Sequence, residues 1–267
     1  MAEVITSGQN PKIKTLMALQ EKSRERRQKG LFVLEGRREL EHALEAGFVL
    51  DTVFVCPEIL SLTNETPLLK AFLKDKPDVI EVSNSVYSKI AYREGTEGII
   101  AEVVTPERTL ASLALPENPL VMVLESVEKP GNLGAVLRSA DAAGADAVII
   151  CDPLTDLFNP NLIRASIGAI FTVPVVTATS AEAITYLKDR KIQILTAQLQ
   201  DSSLYYETDM RGGTALVMGT EATGLTPVWR MAADAHIRIP MLGRLDSLNV
   251  SVSAAILLYE AVRQRQK

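Results

Sequence analysis

The second half of this chain contains six short segments made mainly of apolar residues, and their pattern is the strongest constraint on the fold. A strand with one solvent-facing side alternates polar and apolar residues, whereas these segments do not. Continuous apolar strands are typical of a parallel sheet that helices cover on both faces. We therefore predict a mostly parallel α/β fold here, with strands at residues 120–124, 147–151, 174–176, 192–195, 215–218 and 236–239.

The first hundred residues show a second, smaller α/β pattern of alternating elements. Residues 106–119 then contain three prolines, which is typical of a short connector. The sequence thus predicts one domain at residues 1–105, a linker at 106–118 and a second domain at 119–267. The predicted elements of the first domain are helices at 11–28, 36–46, 65–74 and 84–91 and strands at 31–34, 53–56, 79–82 and 98–104.

Composition limits the class of protein. The chain has 267 residues, of which 47% are hydrophobic, and this is enough to fill a substantial core. Its two cysteines, Cys56 and Cys151, lack the spacing of a metal site and suit a reducing compartment. No signal-peptide pattern or run of about 18 apolar residues is present, so we expect a cytoplasmic protein outside any membrane.

Charge is unevenly distributed along the chain. The formal net charge of −5 argues mildly against a nucleic-acid partner, but residues 12–38 contain nine basic and three acidic residues. Such a cationic stretch can neutralise phosphates while the rest of the chain keeps the protein soluble. A solvated helix face has the same composition, so charge alone leaves both interpretations open.

A helix predicted to begin at Asn132 carries the first group of candidate functional residues. Apolar residues between 133 and 140 follow helical spacing, and Asn132 precedes them as an N-cap. Because helical side chains lean toward the N-terminus, we expect Arg138 to pass over Gly134 and Ala135 toward Asn132. The two could then hold a phosphate at the helix N-terminus. An ordinary N-cap and an ordinary surface arginine are the alternative.

Two later segments place polar groups at the predicted sheet edge. The loop from Gly219 to Leu225 follows a strand, its glycines permit close approach or positive φ, and Glu221 adds a carboxylate. A tight structural turn is the alternative for this loop. Further on, Ser247 is predicted to cap the last helix, and a capped core helix explains this segment except for Asn249, a polar amide in the first turn.

The sequence lacks the patterns of metal-dependent, Ser-His-Asp and nucleotide-binding enzymes. His42 and His236 lack the spacing of a metal site or of a Ser-His-Asp arrangement, so we predict no metal. Neither a Walker A sequence nor the Gly-x-Gly-x-x-Gly dinucleotide signature is present. Metal catalysis and hydride transfer are disfavoured, and so is a nucleotide-dependent metabolic enzyme.

Three motifs in order resemble the SpoU (TrmH-like) branch of the SPOUT RNA methyltransferases. They are Asn-Leu-Gly-x-x-x-Arg at 132–138, Gly-x-Glu-x-x-Gly-Leu at 219–225, and Ile-Pro-Met at 239–241 with Ser-Leu-Asn-Val-Ser at 247–251. The resemblance includes Asn159-Pro160 and residues 164–169, while residues 10–14 and 32–36 resemble the family's substrate-binding domain. It covers nearly the whole chain.

The resemblance implies a C-terminal SPOUT domain with a deep trefoil knot, a smaller N-terminal α/β substrate-binding domain, and a homodimer. The knot would bind S-adenosyl-L-methionine. Carried over by position, the implied cofactor-binding residues are Gly219, Ile239, Met241 and Leu248. The implied catalytic residues are Asn132, Arg138, Glu221, Ser247 and Asn249. For RNA binding, the candidates in the cationic stretch are Lys12, Lys14, Arg24, Arg26, Arg27 and Arg37.

The implied activity is methylation of a ribose 2′-hydroxyl, with ribosomal RNA favoured because the first domain resembles that of rRNA-modifying members. The alternatives are a tRNA 2′-O-methyltransferase and a non-catalytic RNA-binding or ribosome-assembly protein that retains the fold. Since a guanidinium is a poor proton acceptor, we expect Arg138 to clamp a phosphate, with the proton leaving to phosphate, water or Glu221. Glu97-Gly98 departs from the Gln-Gly of many relatives and adds an acid near the expected RNA contacts.

Overall fold

The computed structural model describes residues 4–60, 79–92, 97–220 and 222–266. The chain divides into two compact units. The first comprises Met1–Pro106 with Phe158–Ile163, and the second comprises Glu107–Leu157 with Arg164–Lys267. The predicted helix at 65–74 lies outside the described residues. None of the described helices combines the length and the apolar character that crossing a membrane requires.

The first unit contains a five-stranded mixed sheet in the order β1-β4-β3-β5-β2. Strand β5 is antiparallel to its neighbours β2 and β3, and the other pairs are parallel. Its strands are β1 Val4–Ile5, β2 Leu31–Glu35, β3 Leu50–Val55, β4 Val79–Val82 and β5 Ile99–Val104. Its helices are α1 Pro11–Glu21, α2 Ser23–Lys29, α3 Arg37–Glu45, α4 Pro57–Leu60 and α5 Asn84–Ile90.

The predicted single helix at 11–28 is two helices in the structure. Asn10 caps α1 by accepting a hydrogen bond from the Lys12 amide at 2.9 Å, and Pro11 occupies the first helical position. The helix stops because Lys22 adopts an extended conformation, with φ −118° and ψ 114°. Helix α2 then ends at Gly30, whose φ of 63° suits glycine.

An aromatic cluster in the first unit includes a residue from much later in the chain. The rings of Phe32 and Phe158 stack with their centroids 4.3 Å apart, and Phe48 meets both edge-on. The Tyr92 hydroxyl also donates to Asn161 Oδ1 at 2.9 Å. Segment 158–163 therefore packs with the first unit, although its position in sequence falls within the predicted second domain.

The sheet of the second unit has seven strands, in the order β10-β12-β9-β11-β6-β7-β8. Every pair is parallel, so the predicted parallel sheet is confirmed. Its strands are β6 Leu120–Glu125, β7 Ala147–Cys151, β8 Val175–Ala178, β9 Gln193–Ala197, β10 Ser203–Leu204, β11 Thr214–Met218 and β12 Ala235–Arg238. The helices from residue 107 onward are α6 Pro130–Ala142, α7 Pro160–Ser166, α8 Ala169–Thr172, α9 Ser180–Asp189, α10 Pro227–Ala232 and α11 Val250–Arg265, with 3₁₀ turns at Leu110–Ser112 and Tyr205–Glu207.

The parallel arrangement gathers the loops that carry the predicted motifs. Strand β6 lies between β11 and β7, and Leu124 pairs in register with both Met218 and Ile150. These central strands are buried on both faces, as their apolar composition predicts. Because all the strands run in one direction, the loops after β6, β9, β11 and β12 leave from the same edge of the sheet.

Gly134 allows α6 and α7 to approach with their backbones in contact. A Cβ atom at Gly134 would lie 2.5 Å from Ala165 Cβ and 2.7 Å from the amide nitrogen of Ser166. The space above Gly134 is therefore filled by α7. This corrects the expectation that Gly134 is small in order to let the Arg138 side chain pass.

We expect Gly134→Ala to lower the free energy of unfolding by about 1–3 kcal/mol, because the added methyl group collides with backbone that cannot move aside cheaply. Gly131→Ala is a matched control in the same helix, since a Cβ there meets nothing within 4 Å. It should be neutral or slightly stabilising. Urea denaturation of the two variants checks this, and equal destabilisation would contradict it.

Candidate active site

A cavity of roughly 350 Å³ lies at the edge of the sheet where β9, β11 and β12 end. Its walls come from the loops after these strands and from the start of α11. The structure brings together five of the residues predicted to be catalytic or to bind the cofactor. They are Gly219, Ile239, Met241, Ser247 and Leu248.

The loop from Gly219 to Leu225 forms one wall, and its two glycines have different roles. A Cβ atom at Gly219 would collide with the Gly224 carbonyl group and lie 2.5 Å from the Leu225 nitrogen. Gly224 has a φ of 67°, which disfavours residues with a side chain. The Gly224 amide also donates to the carbonyl of Thr220 at 3.0 Å, closing a tight turn. Glu221, within this loop, lies outside the described residues.

Two asparagines from distant motifs meet beside the cavity. The Asn249 side-chain amide donates to Asn132 Oδ1 at 3.2 Å. Asn249 Oδ1 accepts hydrogen bonds from the Ser251 amide at 3.0 Å and the Ser251 hydroxyl at 2.6 Å, so its nitrogen must face Asn132. The pair borders the cavity, because Leu248 and Val250, on either side of Asn249, line it.

Both predicted helix caps are corrected by the structure. Helix α6 begins at Pro130, whose fixed φ suits the first helical position, so Asn132 lies in the first turn and is not the N-cap. Asn249 is the N-cap of α11, whereas the Ser247 hydroxyl donates to Asp246 at 3.2 Å. The Ser247 side chain is therefore available at the cavity and is not used by the helix.

Arg138 lies on the exposed side of α6. Its guanidinium makes no hydrogen bond or ion pair with any described residue, so the structure does not bring it to Asn132 as expected. A permanently charged, unpaired guanidinium with five donors is suited to bind an oxyanion such as phosphate.

A family comparison agrees with this geometry. The model of the SpoU rRNA Methylase family matches residues 119–259, which is more than half of the chain. The chain belongs to this family. A model of the MRM3-like substrate binding domain matches residues 10–101. The resemblance carried by the three motifs is thus confirmed, and a SpoU-type domain with an N-terminal substrate-binding domain describes the fold.

Some relatives of this SpoU protein match nearly its whole length. The 23S rRNA (guanosine(2553)-2′-O)-methyltransferase RlmP of Bacillus subtilis is 30% identical over 260 residues, covering 96% of this chain and 97% of RlmP. The 23S rRNA (guanosine-2′-O-)-methyltransferase RlmB of Escherichia coli K12 is 35% identical over 265 residues, covering 95% and 97%. The crystal structure of an AdoMet-bound rRNA methyltransferase from Sinorhizobium meliloti superposes with a TM-score of 0.87 at 29% identity, covering 98% of this chain and 97% of that one.

Sequence reasoning missed part of the SpoU cavity wall. Gln198, Leu199 and Gln200, which follow β9, line the cavity, as does Arg230 of α10. A signal for the first three was present, because β9 was predicted as a parallel strand and the loop after it must leave from the same edge. Arg230 carried no such signal, since its place depends on the packing of α10.

Most of the predicted RNA-binding residues are exposed in the first unit, but Arg26 is not. Arg26 is 4% exposed, and its guanidinium donates to the carbonyl oxygens of Leu19 at 2.6 Å and Gln20 at 3.1 Å. It therefore holds the junction of α1 and α2 and is unavailable to RNA, which differs from the prediction. The exposed candidates on these helices are Lys12, Lys14, Arg24 and Arg27.

Glu97, the acid that departs from the relatives' pattern, caps a helix. Its carboxylate accepts a hydrogen bond from the Arg37 amide at the start of α3, where the N-cap Gly36 has no side chain to do so. The Glu97 charge is thus used within the first unit. The Arg37 side chain is half-buried, and its Nε has no hydrogen-bond partner among the described residues.

Glu102 of β5 is an unusual acid in the first unit. Burial raises its pKa to about 7, and nearby Asp51 adds to this while Lys29 and Lys12 oppose it. One of its carboxylate oxygens is buried and has no hydrogen-bond partner in the part of the chain that the structure describes. The acid therefore changes charge near neutral pH, close to two lysines of the cationic stretch.

Variants of Asn249 and Ser247 should separate the observed cap of α11 from the predicted one. We expect Asn249→Ala to lower the free energy of unfolding by about 1 kcal/mol, because the Ser251 amide loses its acceptor. Ser247→Ala should change it by less than about 0.5 kcal/mol, since the one side-chain hydrogen bond of Ser247 to a described residue goes to exposed Asp246. Thermal unfolding measured by calorimetry checks both, and the reverse order would show that Ser247 is the cap.

Proposed function

We propose that this protein is an S-adenosyl-L-methionine-dependent methyltransferase that methylates a ribose 2′-hydroxyl in 23S ribosomal RNA. The observation that carries the proposal is the cavity bounded by the Gly219–Leu225 loop, Ile239 and Leu248, with the Asn132–Asn249 pair at its side. The names of RlmP and RlmB and the AdoMet-bound S. meliloti structure support the reaction, the substrate and the cofactor.

The cavity fits the cofactor. Its volume of roughly 350 Å³ lies within the range typical of small-molecule sites. Apolar side chains of Met218, Ile239 and Leu257 line it together with polar Gln198 and Asp246, which suits a ligand with an adenine ring and a charged amino acid. Gly219 and Gly224 both line the cavity, and the collision that a Cβ at Gly219 would suffer shows that their backbones pack against each other.

When bound, the cofactor supplies an electrophilic methyl group on its sulfonium. The residues of this chain orient the acceptor. Asn249 is held by the helix cap, so its amide and that of Asn132 present fixed hydrogen-bonding groups to an incoming ribose. Arg138 binds the adjacent phosphate and stabilises the developing alkoxide, and the hydroxyl proton leaves to phosphate, water or Glu221.

The first unit binds the RNA. Exposed Lys12, Lys14, Arg24 and Arg27 on α1 and α2 supply positive charge, and Arg37 lies at the start of α3. The family resemblance further supports a homodimer, a trefoil knot around the cofactor cavity and a place in the cytoplasm. Val252 and Tyr259 of α11 are 47% and 51% exposed, which suits a subunit interface.

The decisive experiment is to map ribose-methylated positions in total RNA from cells with and without this protein. One 2′-O-methylated nucleotide of 23S rRNA should disappear without it and return on complementation. An unchanged ribosomal RNA map with a lost methyl group in a tRNA would establish the tRNA alternative. No change in any RNA, with intact ribosome assembly requiring the protein, would establish the non-catalytic alternative.

We expect Gly219→Ala to weaken binding of S-adenosyl-L-methionine at least tenfold, because the methyl group would displace Gly224 and Leu225, which line the cavity. Gly243→Ala is the matched control, since a Cβ there meets nothing within 4 Å. Isothermal titration calorimetry measures both dissociation constants. Equal affinities for the two variants would contradict the assignment of the loop to the cofactor.

Arg138→Lys should reduce kcat at least tenfold, because lysine keeps the charge but loses the bidentate geometry. Arg190→Lys is a control at a remote arginine, which lies over the Tyr186 ring. Methyl transfer to the RNA substrate is measured under saturating cofactor. Near-normal turnover with unchanged RNA affinity would disprove the phosphate clamp.

RNA binding should weaken as salt increases, with log K falling linearly against log salt. Arg27→Gln should reduce the magnitude of this slope by about 0.7–0.9, as expected for one lost phosphate contact. Lys188→Gln, an exposed lysine on α9 of the second unit, should leave the slope unchanged. Filter binding at several salt concentrations measures the slopes, and a wild-type slope near zero would exclude the cationic surface as the RNA contact.

A further inference from the structure

Glu125 is a buried acid that the reaction does not use. It is the last residue of β6 and is 3% exposed, and no basic residue in the described part of the chain pairs with it. Its carboxylate instead accepts two hydrogen bonds from one residue. The Thr226 amide donates to Oε2 at 2.8 Å, and the Thr226 hydroxyl donates to Oε1 at 2.6 Å.

These two hydrogen bonds fix the C-terminal end of the Gly219–Leu225 loop. At the near end, Met218 pairs in register with Leu124 of β6 and immediately precedes Gly219. At the far end, Thr226 immediately follows Leu225 and is held by Glu125, the residue after Leu124. Both ends of the seven-residue loop are therefore attached to neighbouring residues of one strand. Closing a loop in this way removes much of its conformational freedom.

A second set of hydrogen bonds holds the chain just after the C-terminal end of this loop. Trp229 of α10 is fully buried, and its indole nitrogen donates to the Ser180 hydroxyl at 2.9 Å. That hydroxyl lies 2.5 Å from Asp152 Oδ2 and 3.4 Å from Glu125 Oε1, with Asp152 as the closer acceptor. The start of α10, directly after the loop, is thus anchored to the ends of β6, β7 and β8.

We propose that Glu125 is a positioning residue for the methyl donor, and this rests on the proposed function. By binding Thr226 it holds the Gly219–Leu225 loop in its cofactor-binding conformation before the cofactor arrives. Pre-organisation of this kind increases affinity because the ordering cost is not incurred on binding. Glu125 does not touch the cavity, so its effect is on cofactor affinity and not on the chemical step.

The experiment compares Glu125→Gln, Thr226→Val and Thr226→Ser with the wild-type protein. Glutamine lacks the second acceptor oxygen, and valine lacks the donor hydroxyl, whereas serine keeps it. The first two variants should bind S-adenosyl-L-methionine about tenfold more weakly, as measured by calorimetry, with kcat at saturating cofactor within about twofold of wild type. Thr226→Ser should bind S-adenosyl-L-methionine with wild-type affinity. Without ligand, amide hydrogen exchange in residues 219–226 should be faster in the two weak variants.

Asp146→Asn is the matched control, because Asp146 accepts a hydrogen bond from the Leu120 amide at 2.7 Å at the opposite end of β6. It should leave cofactor affinity unchanged. Faster exchange in the loop with unaltered affinity, or equal weakening in Asp146→Asn, would overturn the proposal. If Glu125→Gln does not fold, Thr226→Val carries the test alone, since Thr226 is exposed. A wild-type protein that binds no cofactor would refute the proposed function itself, and this inference with it.

Discussion

The parallel pairing of seven strands is the constraint on which the rest of the second unit depends. Because every strand runs the same way, every strand ends at one edge, and the connections must return along the faces of the sheet. Motifs separated by about a hundred residues therefore meet there. Asn132 follows β6 and Asn249 follows β12, yet their side chains are hydrogen-bonded. An antiparallel sheet would have sent half of these loops to the opposite edge.

The strands could be predicted because each depends on local sequence, whereas the family resemblance supplied the candidate cavity residues. A buried strand needs an apolar run, and a loop that passes backbone against backbone needs glycine, as Gly219 does against Gly224. The residues at which helices begin were harder to predict from the sequence. Asn132 and Ser247 are both good N-cap types, but Pro130 starts α6 two residues earlier and Asn249 caps α11 instead. Several cap-forming residues close together leave the choice to tertiary packing.

Tertiary packing also determines the environment of the residues for which the sequence-based predictions were wrong. Arg26 and Arg27 are neighbours of the same type, yet helical geometry directs one into the interior and the other to solvent. Phe158 packs in the first unit although it follows β7 in sequence, and no local pattern shows which aromatic rings it will meet. The sequence places Glu97 near the expected RNA contacts, but its carboxylate accepts a hydrogen bond from the Arg37 amide. In each case the deciding partner is distant in sequence or lies in another helix.

The Asn132–Asn249 pair and Arg138 differ in how far their side chains are fixed before substrate binds. The amide of Asn249 cannot rotate without losing both bonds from Ser251, so the pair with Asn132 is fixed before any substrate binds. Arg138 has no partner among the described residues and keeps its rotamer freedom. Fixing a long side chain of this kind costs up to about 2 kcal/mol. If Arg138 binds the RNA phosphate as we propose, that phosphate supplies the missing partner. The catalytic arrangement is then completed only when RNA is bound, and part of the RNA-binding energy is used to complete it.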